Sequence, residues 1–288
     1  MLDRQFKWIF FISLSIIWGS SFILMKWAMP HLTAIQVGAL RIIIAGFFLL
    51  FTKHQYLKGI TKKEWIYLFF VAITGTFLPS FLFTISIQHI DSSIVAILNS
   101  FTPLNTLLIG FLFFKYRFNK SQIFGIIIGI LGTVILVRES AVLNPLDNYW
   151  YALPVIVATL GYAINVNLIK KYLSRLDPIS IAVANFLLVL LPALVVLIFS
   201  GFFKISFNTE VLISLGYTTI LAILGTAIAL MFFYKMIQIT SPLFASSVTY
   251  TIPIVALLWG ILDQEQIHLS QILSGLIILL GVYLVSRN

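Results

Sequence analysis

Ten apolar runs, separated by short polar or charged turns, occupy almost the whole chain: about 7–29, 33–52, 64–87, 92–114, 121–138, 149–172, 178–200, 210–238, 242–262 and 268–286. Each is close to the ~20 residues that a helix needs to cross the hydrocarbon core of a bilayer. Inside lipid every backbone polar group must be satisfied by the chain itself, so such runs fold as helices packed on helices. The expected fold is an all-α integral membrane protein of ten transmembrane helices. Only 9% of the 288 residues are charged, too few to clothe a soluble domain, and the turns leave no room for one. The first run is longer than the apolar segment of a secretory leader, which makes it a span rather than a cleaved signal. Cys is absent, so neither a disulfide nor a thiolate metal site can form.

A net charge of +9 would point to nucleic acid in a soluble protein. Here it reads as topology, and no nucleic-acid partner is expected. With ten spans and the N-terminus inside, fourteen of the 18 basic residues fall on the inner side. Lys26, Arg138 and Lys204 fall outside, and Arg41 lies within a span. The positive-inside rule then puts both termini in the cytoplasm, with 53–63 inside and 139–148 outside. Asp91, Glu139, Asp147, Glu210, Asp263 and Glu265 lean outward. The expected location is the cytoplasmic (inner) membrane of a bacterium.

The chain repeats itself at an offset of about 144 to 150 residues. Gly75-Thr76 matches Gly225-Thr226, Pro103 matches Pro253, and Ser121-Gln122-Ile123 matches Ser270-Gln271-Ile272. Gly132 matches Gly281, while Trp18 and Lys26 fall against Tyr162 and Lys170. The expected division is 1–145, holding spans 1–5, and 146–288, holding spans 6–10. Five is odd, so the second copy sits upside down relative to the first. Inverted repeats are the architecture that lets one half rock against the other around a midplane site.

Two spans carry polar groups and a proline at mid-depth: Asn99-Ser100-Phe101-Thr102-Pro103-Leu104-Asn105 in span 4, and Ser246 to Pro253 in span 9. Proline removes a backbone donor, so Pro103 and Pro253 are candidate hinges, and carbonyls near Asn99 and Thr249 need other partners. Arg41 is the one charge placed well inside the membrane, where it costs about 2.5–3.5 kcal/mol on insertion scales. It reads either as a clamp for a substrate carboxylate or as a structural tie to carbonyl oxygens. Trp18, Tyr162 and Tyr250, with Ser21, Asn99, Thr102 and Asn165, complete the expected cavity; Tyr234, Phe101 and Trp259 are further aromatic candidates. Most of the 26 Phe, 11 Tyr and 6 Trp face lipid or its interface instead. Asn105, Asn167 and Asn185 read equally as glue between helices. Gly125 and Gly129 form a GxxxG that serves either packing within the chain or a homodimer. The sequon at Asn119 falls in an inner loop and is discounted.

Trp18-Gly19-Ser20-Ser21-Phe22, Arg41, the two prolines, Gly125 with Gly132, Gly281, and Glu265 after span 9 together resemble the EamA family of the drug/metabolite transporter superfamily. The resemblance covers nearly the whole chain. It implies ten helices, two inverted five-helix repeats, a central cavity, and export or exchange of small metabolites, often amino acids. The chain departs from the pattern at Lys115, where the first repeat often has an acid, and at Asn185, which stands opposite Arg41. The expected function is a secondary transporter of small polar metabolites working by alternating access, as a monomer or homodimer in the bilayer. No cofactor, P-loop or metal site is expected. The alternative is a membrane enzyme acting on a lipid through Asp263, Glu265 and His268.

Overall fold

The computed structural model describes residues 2–115, 120–143 and 148–286. Asn119 of the sequon, Arg117, Asp147, Arg287 and the division at 145/146 lie outside the described residues. No strand occurs among the described residues, and nine helical segments are long and apolar enough to cross a membrane. Span 1 runs over Lys7–Ala28, span 2 over Ala34–Leu57, span 3 over Lys62–Ile87, span 4 over Ser92–Phe114 and span 5 over Lys120–Glu139. Span 6 covers Tyr149–Tyr172, span 7 Pro178–Phe199, span 8 Thr209–Ile239 and span 9 Pro242–Leu262. Span 10, Leu269–Ser286, ends with the described residues.

One boundary moves. The turn expected at 139–148 begins later, because the helix of span 5 continues to Leu143. Glu139 to Leu143 contain no breaker; the first lies at Pro145, which also disfavours helix at the residue before it.

The starts of the helices are legible in local chemistry. Thr33 and Thr61 each close a capping box, with Gln36 and Glu64 as the reciprocal partners. Asp177 and Ser241 cap helices that open on Pro178 and Pro242, where a missing N–H does no harm. Large apolar side chains such as Phe51, Leu191 and Phe199 are exposed on the outer surface of the bundle, as lipid contact requires.

Packing follows the duplication. Span 1 lies against spans 8 and 9, and span 6 lies against spans 3 and 4. Span 2 packs on span 7, and span 5 packs along span 10. The last pair uses the GxxxG: a Cβ on Gly281 would fall 2.7 Å from the Gly125 carbonyl and 2.5 Å from the Gly129 amide. Backbones approach this closely only where side chains vanish. The motif is thus occupied within the chain.

Four helices are irregular, in two matched pairs. Spans 3 and 8 each carry a wide π turn, at Ile73–Phe77 and Ile223–Ile228. Spans 4 and 9 lose α pairing just before their prolines, at Ser100–Phe101 and Ser247–Thr251. All four irregularities meet at mid-depth.

Candidate functional site

A cavity lies at that meeting point, and its lining is built by the repeat. Trp18 and Tyr162, Ser21 and Asn165, Gly75 and Gly225, and Thr76 and Thr226 all line it. So do Ser80 and Leu230, Phe83 and Phe233, Asn99 and Thr249, and Thr102 and Ile252. Each pair is separated by 144 or 150 positions. Four lining residues lack a partner in the lining: Phe22, Met25, Arg41 and Ser246. The cavity has a volume of about 70 Å³. One water needs about 10–15 Å³ on that measure, so the space suits a molecule of a few heavy atoms up to a small metabolite.

The π turns bring the walls together. A π turn frees a carbonyl from the helical ladder and recurs at functional sites. The Trp18 indole donates to the Gly225 carbonyl at 3.1 Å. At both turns the glycine lets a facing side chain come close. A Cβ on Gly75 would fall 1.8 Å from Asn165 Nδ2, and one on Gly225 would fall 2.6 Å from Ser21 Oγ. The threonine that follows each glycine receives the donor from the neighbouring repeat. Arg41 Nε donates to Thr226 Oγ1 at 2.5 Å, while that hydroxyl donates to the Leu221 carbonyl at 3.1 Å. At the mirror position Asn185 Nδ2 donates to Thr76 Oγ1 at 2.7 Å. Arg41 and Asn185 therefore do the same structural task, with a charge on one side only.

Arg41 is buried, 8% exposed, and its guanidinium has five N–H donors. Besides Thr226, Nη1 lies 3.9 Å from the Met25 sulfur. Among the described residues the ion pairs join Lys26, His31 and Arg175 to acids, and none reaches Arg41.

The aromatic wall is also two-fold. Trp18 meets Phe233 edge-on at 4.9 Å between ring centroids, and Tyr162 stacks on Phe83 at 5.7 Å. Phe22 closes the gap against Phe83.

The breaks in spans 4 and 9 leave carbonyls that side chains take. Thr102 Oγ1 donates to the Asn99 carbonyl at 2.7 Å, and Thr249 Oγ1 to that of Ser246 at 2.9 Å. Ser100 Oγ donates across to the Thr249 carbonyl at 2.9 Å and ties the two breaks together.

Seven of the expected cavity residues meet here: Trp18, Ser21, Arg41, Asn99, Thr102, Tyr162 and Asn165. Tyr250 does not. It turns away from the cavity, and its hydroxyl reaches the Val282 carbonyl of span 10 at 3.4 Å. The tight turn over Ser247–Tyr250 rotates it off the face that carries Thr249. Tyr234 is buried beside Asn185, and Trp259 donates to Ser20. Asn105 and Asn167 join helices through Thr159 and the Thr106 carbonyl. Phe83, Phe233, Thr76 and Thr226 enter the site without having been singled out, although Thr76 and Thr226 mark the repeat.

The acids after span 9 are engaged. Lys26 pairs with Asp263 at 2.6 Å and with Glu265 at 2.9 Å. Glu265 also accepts from the hydroxyls of Ser92 and Ser93, each at 2.6 Å, at the start of span 4. Burial pushes the Glu265 carboxyl up, but bonds from Ser92, Ser93 and Lys26 outweigh it and hold it below the usual value of 4.5. Asp263 is likewise lowered: burial opposes, while Lys26 and the Trp27 indole prevail. His268 takes no part in this network; its backbone N–H donates to Gln271. Lys26, Asp263 and Glu265 form a structural clamp between spans 1, 4 and 9 in which His268 has no share, which removes the basis for the enzyme alternative. At the opposite end Lys170, the mirror of Lys26, finds no acid. It donates to the carbonyls of Ile237, Gln238 and Thr240.

A model of the EamA-like transporter family matches residues 6–138 and 149–287, once in each half. An uncharacterized transporter of Archaeoglobus fulgidus is 28% identical over 284 residues, covering 98% of this chain and 99% of its own. The uncharacterized inner membrane transporter YedA of Escherichia coli K12 is 25% identical over 95% of this chain and 88% of its own. Protein PecM of Dickeya dadantii is 26% identical over 94% of this chain and 91% of its own. A crystal structure covering 96% of this chain, and 94% of its own, superposes with a TM-score of 0.66 at 15% identity; it supports the fold alone.

Proposed function

This chain belongs to the EamA-like transporter family, a family of transporters and not of enzymes, and from that premise we propose that it carries small polar metabolites across the cytoplasmic membrane by alternating access. Amino acids are one class of suitable size. The observation that carries the reading is the cavity itself. It sits at mid-depth between inverted repeats, and equivalent residues of both repeats build its two sides. A site on such a pseudo-two-fold axis can open to either face by exchanging the conformations of the two halves. In this reading each half, 1–145 and 146–288, moves as a repeat, with both termini cytoplasmic. Spans 4 and 9 flex at Pro103 and Pro253, and Trp18, Ser21, Arg41, Asn99, Thr102, Tyr162 and Asn165 meet the substrate.

Transport runs without Na⁺, because the lining holds no carboxylate to bind it. The test is purified protein in vesicles loaded with a mixture of amino acids and other small metabolites. At least one member should leave faster than from protein-free vesicles, with or without a Na⁺ gradient. Equal leakage of every member contradicts transport, and a strict Na⁺ requirement contradicts the coupling.

A further inference from the structure

We infer that the substrate is a net anion, a carboxylate on a small apolar or aromatic body, and not a zwitterion; this rests on the transporter reading and narrows it. Arg41 is the one charged residue in the cavity lining. Among the described residues it has a single oxygen partner, the Thr226 hydroxyl, and no carboxylate. A guanidinium buried at this depth without a counter-charge is costly. A carboxylate entering the cavity supplies that counter-charge and matches the planar fork.

The ammonium of an amino acid finds no matching charge. No Asp or Glu lines the cavity. Carbonyls at helix breaks are the usual substitute, and here three of them each already accept from a hydroxyl. The Asn99, Ser246 and Thr249 carbonyls accept from Thr102, Thr249 and Ser100. The two-fold order of the lining sharpens the point. Had the second repeat kept a charge opposite Arg41, the cavity would be symmetric; it has the neutral Asn185, outside the lining, whose Nδ2 goes to Thr76 and Tyr234. Full charge is therefore one-ended: Arg41 supplies it, and the rest of the lining is neutral, the rings of Trp18, Phe22, Phe83 and Phe233 with the amides of Asn99 and Asn165.

Matched sets of ligands isolate the two ends. Isovalerate, valine and isobutylamine share one body, and hydrocinnamate, phenylalanine and phenethylamine share another. Binding to the wild-type protein in nanodiscs at neutral pH should rank acid over amino acid by about tenfold or more, with the amine weakest. Arg41→Gln should weaken the acid by about tenfold or more and leave the amine unchanged. Arg41→Lys keeps the charge without the fork and should fall between; it also carries the test should the Gln variant fail to fold. An amino acid binding as tightly as its matched acid, undiminished acid binding in Arg41→Gln, or no binding by either acid overturns the inference. Flux in vesicles separates this from the transporter reading. An acid that binds through Arg41 but never crosses sinks transport and leaves the anion site standing. An amino acid that crosses while its acid does not bind sinks the anion class and leaves transport standing.

Discussion

Thr226 matters because it stands between a charge and a helix. Its hydroxyl accepts from Arg41 and donates to the Leu221 carbonyl freed by the π turn. Thr226→Val keeps the shape and removes both bonds, leaving a buried donor unmet. Chemical denaturation should show a loss of about 1–3 kcal/mol, and acid binding should weaken as Arg41 loses its register. Unchanged stability and affinity would mean that Arg41 is held by something else. Glu265 gives a pH test at the same scale. Its folded carboxyl lies below the usual value of 4.5, so the stability it contributes is full above that value and is lost as pH falls through the lowered one. Unfolding temperature should be level near neutrality and fall below about pH 4.5, with Glu265→Gln less stable at neutral pH by about 1.5–3 kcal/mol and flatter in acid. An unchanged acid limb in that variant would assign the loss to other carboxylates. Arg41 was legible in the sequence because a charge within an apolar run has few innocent explanations. Tyr250 shows the limit. Its depth was readable, but the facing of a residue in a tight turn depends on a local rotation that no spacing encodes.

Among the elements, the interrupted helices set the shape of the cavity. Pro103 and Pro253 were readable as defects from covalent chemistry alone, since neither has an N–H. The π turns were not. Gly75-Thr76 and Gly225-Thr226 were visible only as matching letters, and an extra residue in a helical turn leaves no mark on hydrophobic period. Close approach explains the glycines, and Gly75→Ala sets a Cβ 1.8 Å from Asn165 Nδ2. Such overpacking should cost about 1–3 kcal/mol in unfolding free energy; a neutral change would show that span 6 yields freely. Pro103→Ala and Pro253→Ala restore a donor opposite carbonyls that hydroxyls already hold. Both variants should remain folded and bind ligand, while turnover drops more than affinity does. Wild-type turnover in both would reduce the prolines to tolerated defects.

For the whole molecule, apolar runs and their charged turns were enough to read ten helices, because a bilayer leaves the backbone so few choices. The inversion followed from an odd count per repeat. Lys115 and Asn185 already marked the two halves as unequal in charge; what the pattern did not reveal is which partners the charged groups find. At one end Lys26 pairs with Asp263 and Glu265; at the other Lys170 rests on carbonyls, with Lys115 standing where an acid would complete the mirror. Orientation is testable because the chain has no Cys. A cysteine at Lys58, in the basic turn, should resist membrane-impermeant thiol reagents applied outside intact cells; labelling there would reverse the topology. The most direct measurement of alternating access places a single cysteine at Ser80, which lines the cavity and is 3% exposed. In oriented vesicles an impermeant reagent should modify it from either face, and isovalerate should slow both reactions. Modification from one face only, whatever ligand is present, would contradict a cavity that opens to each side in turn.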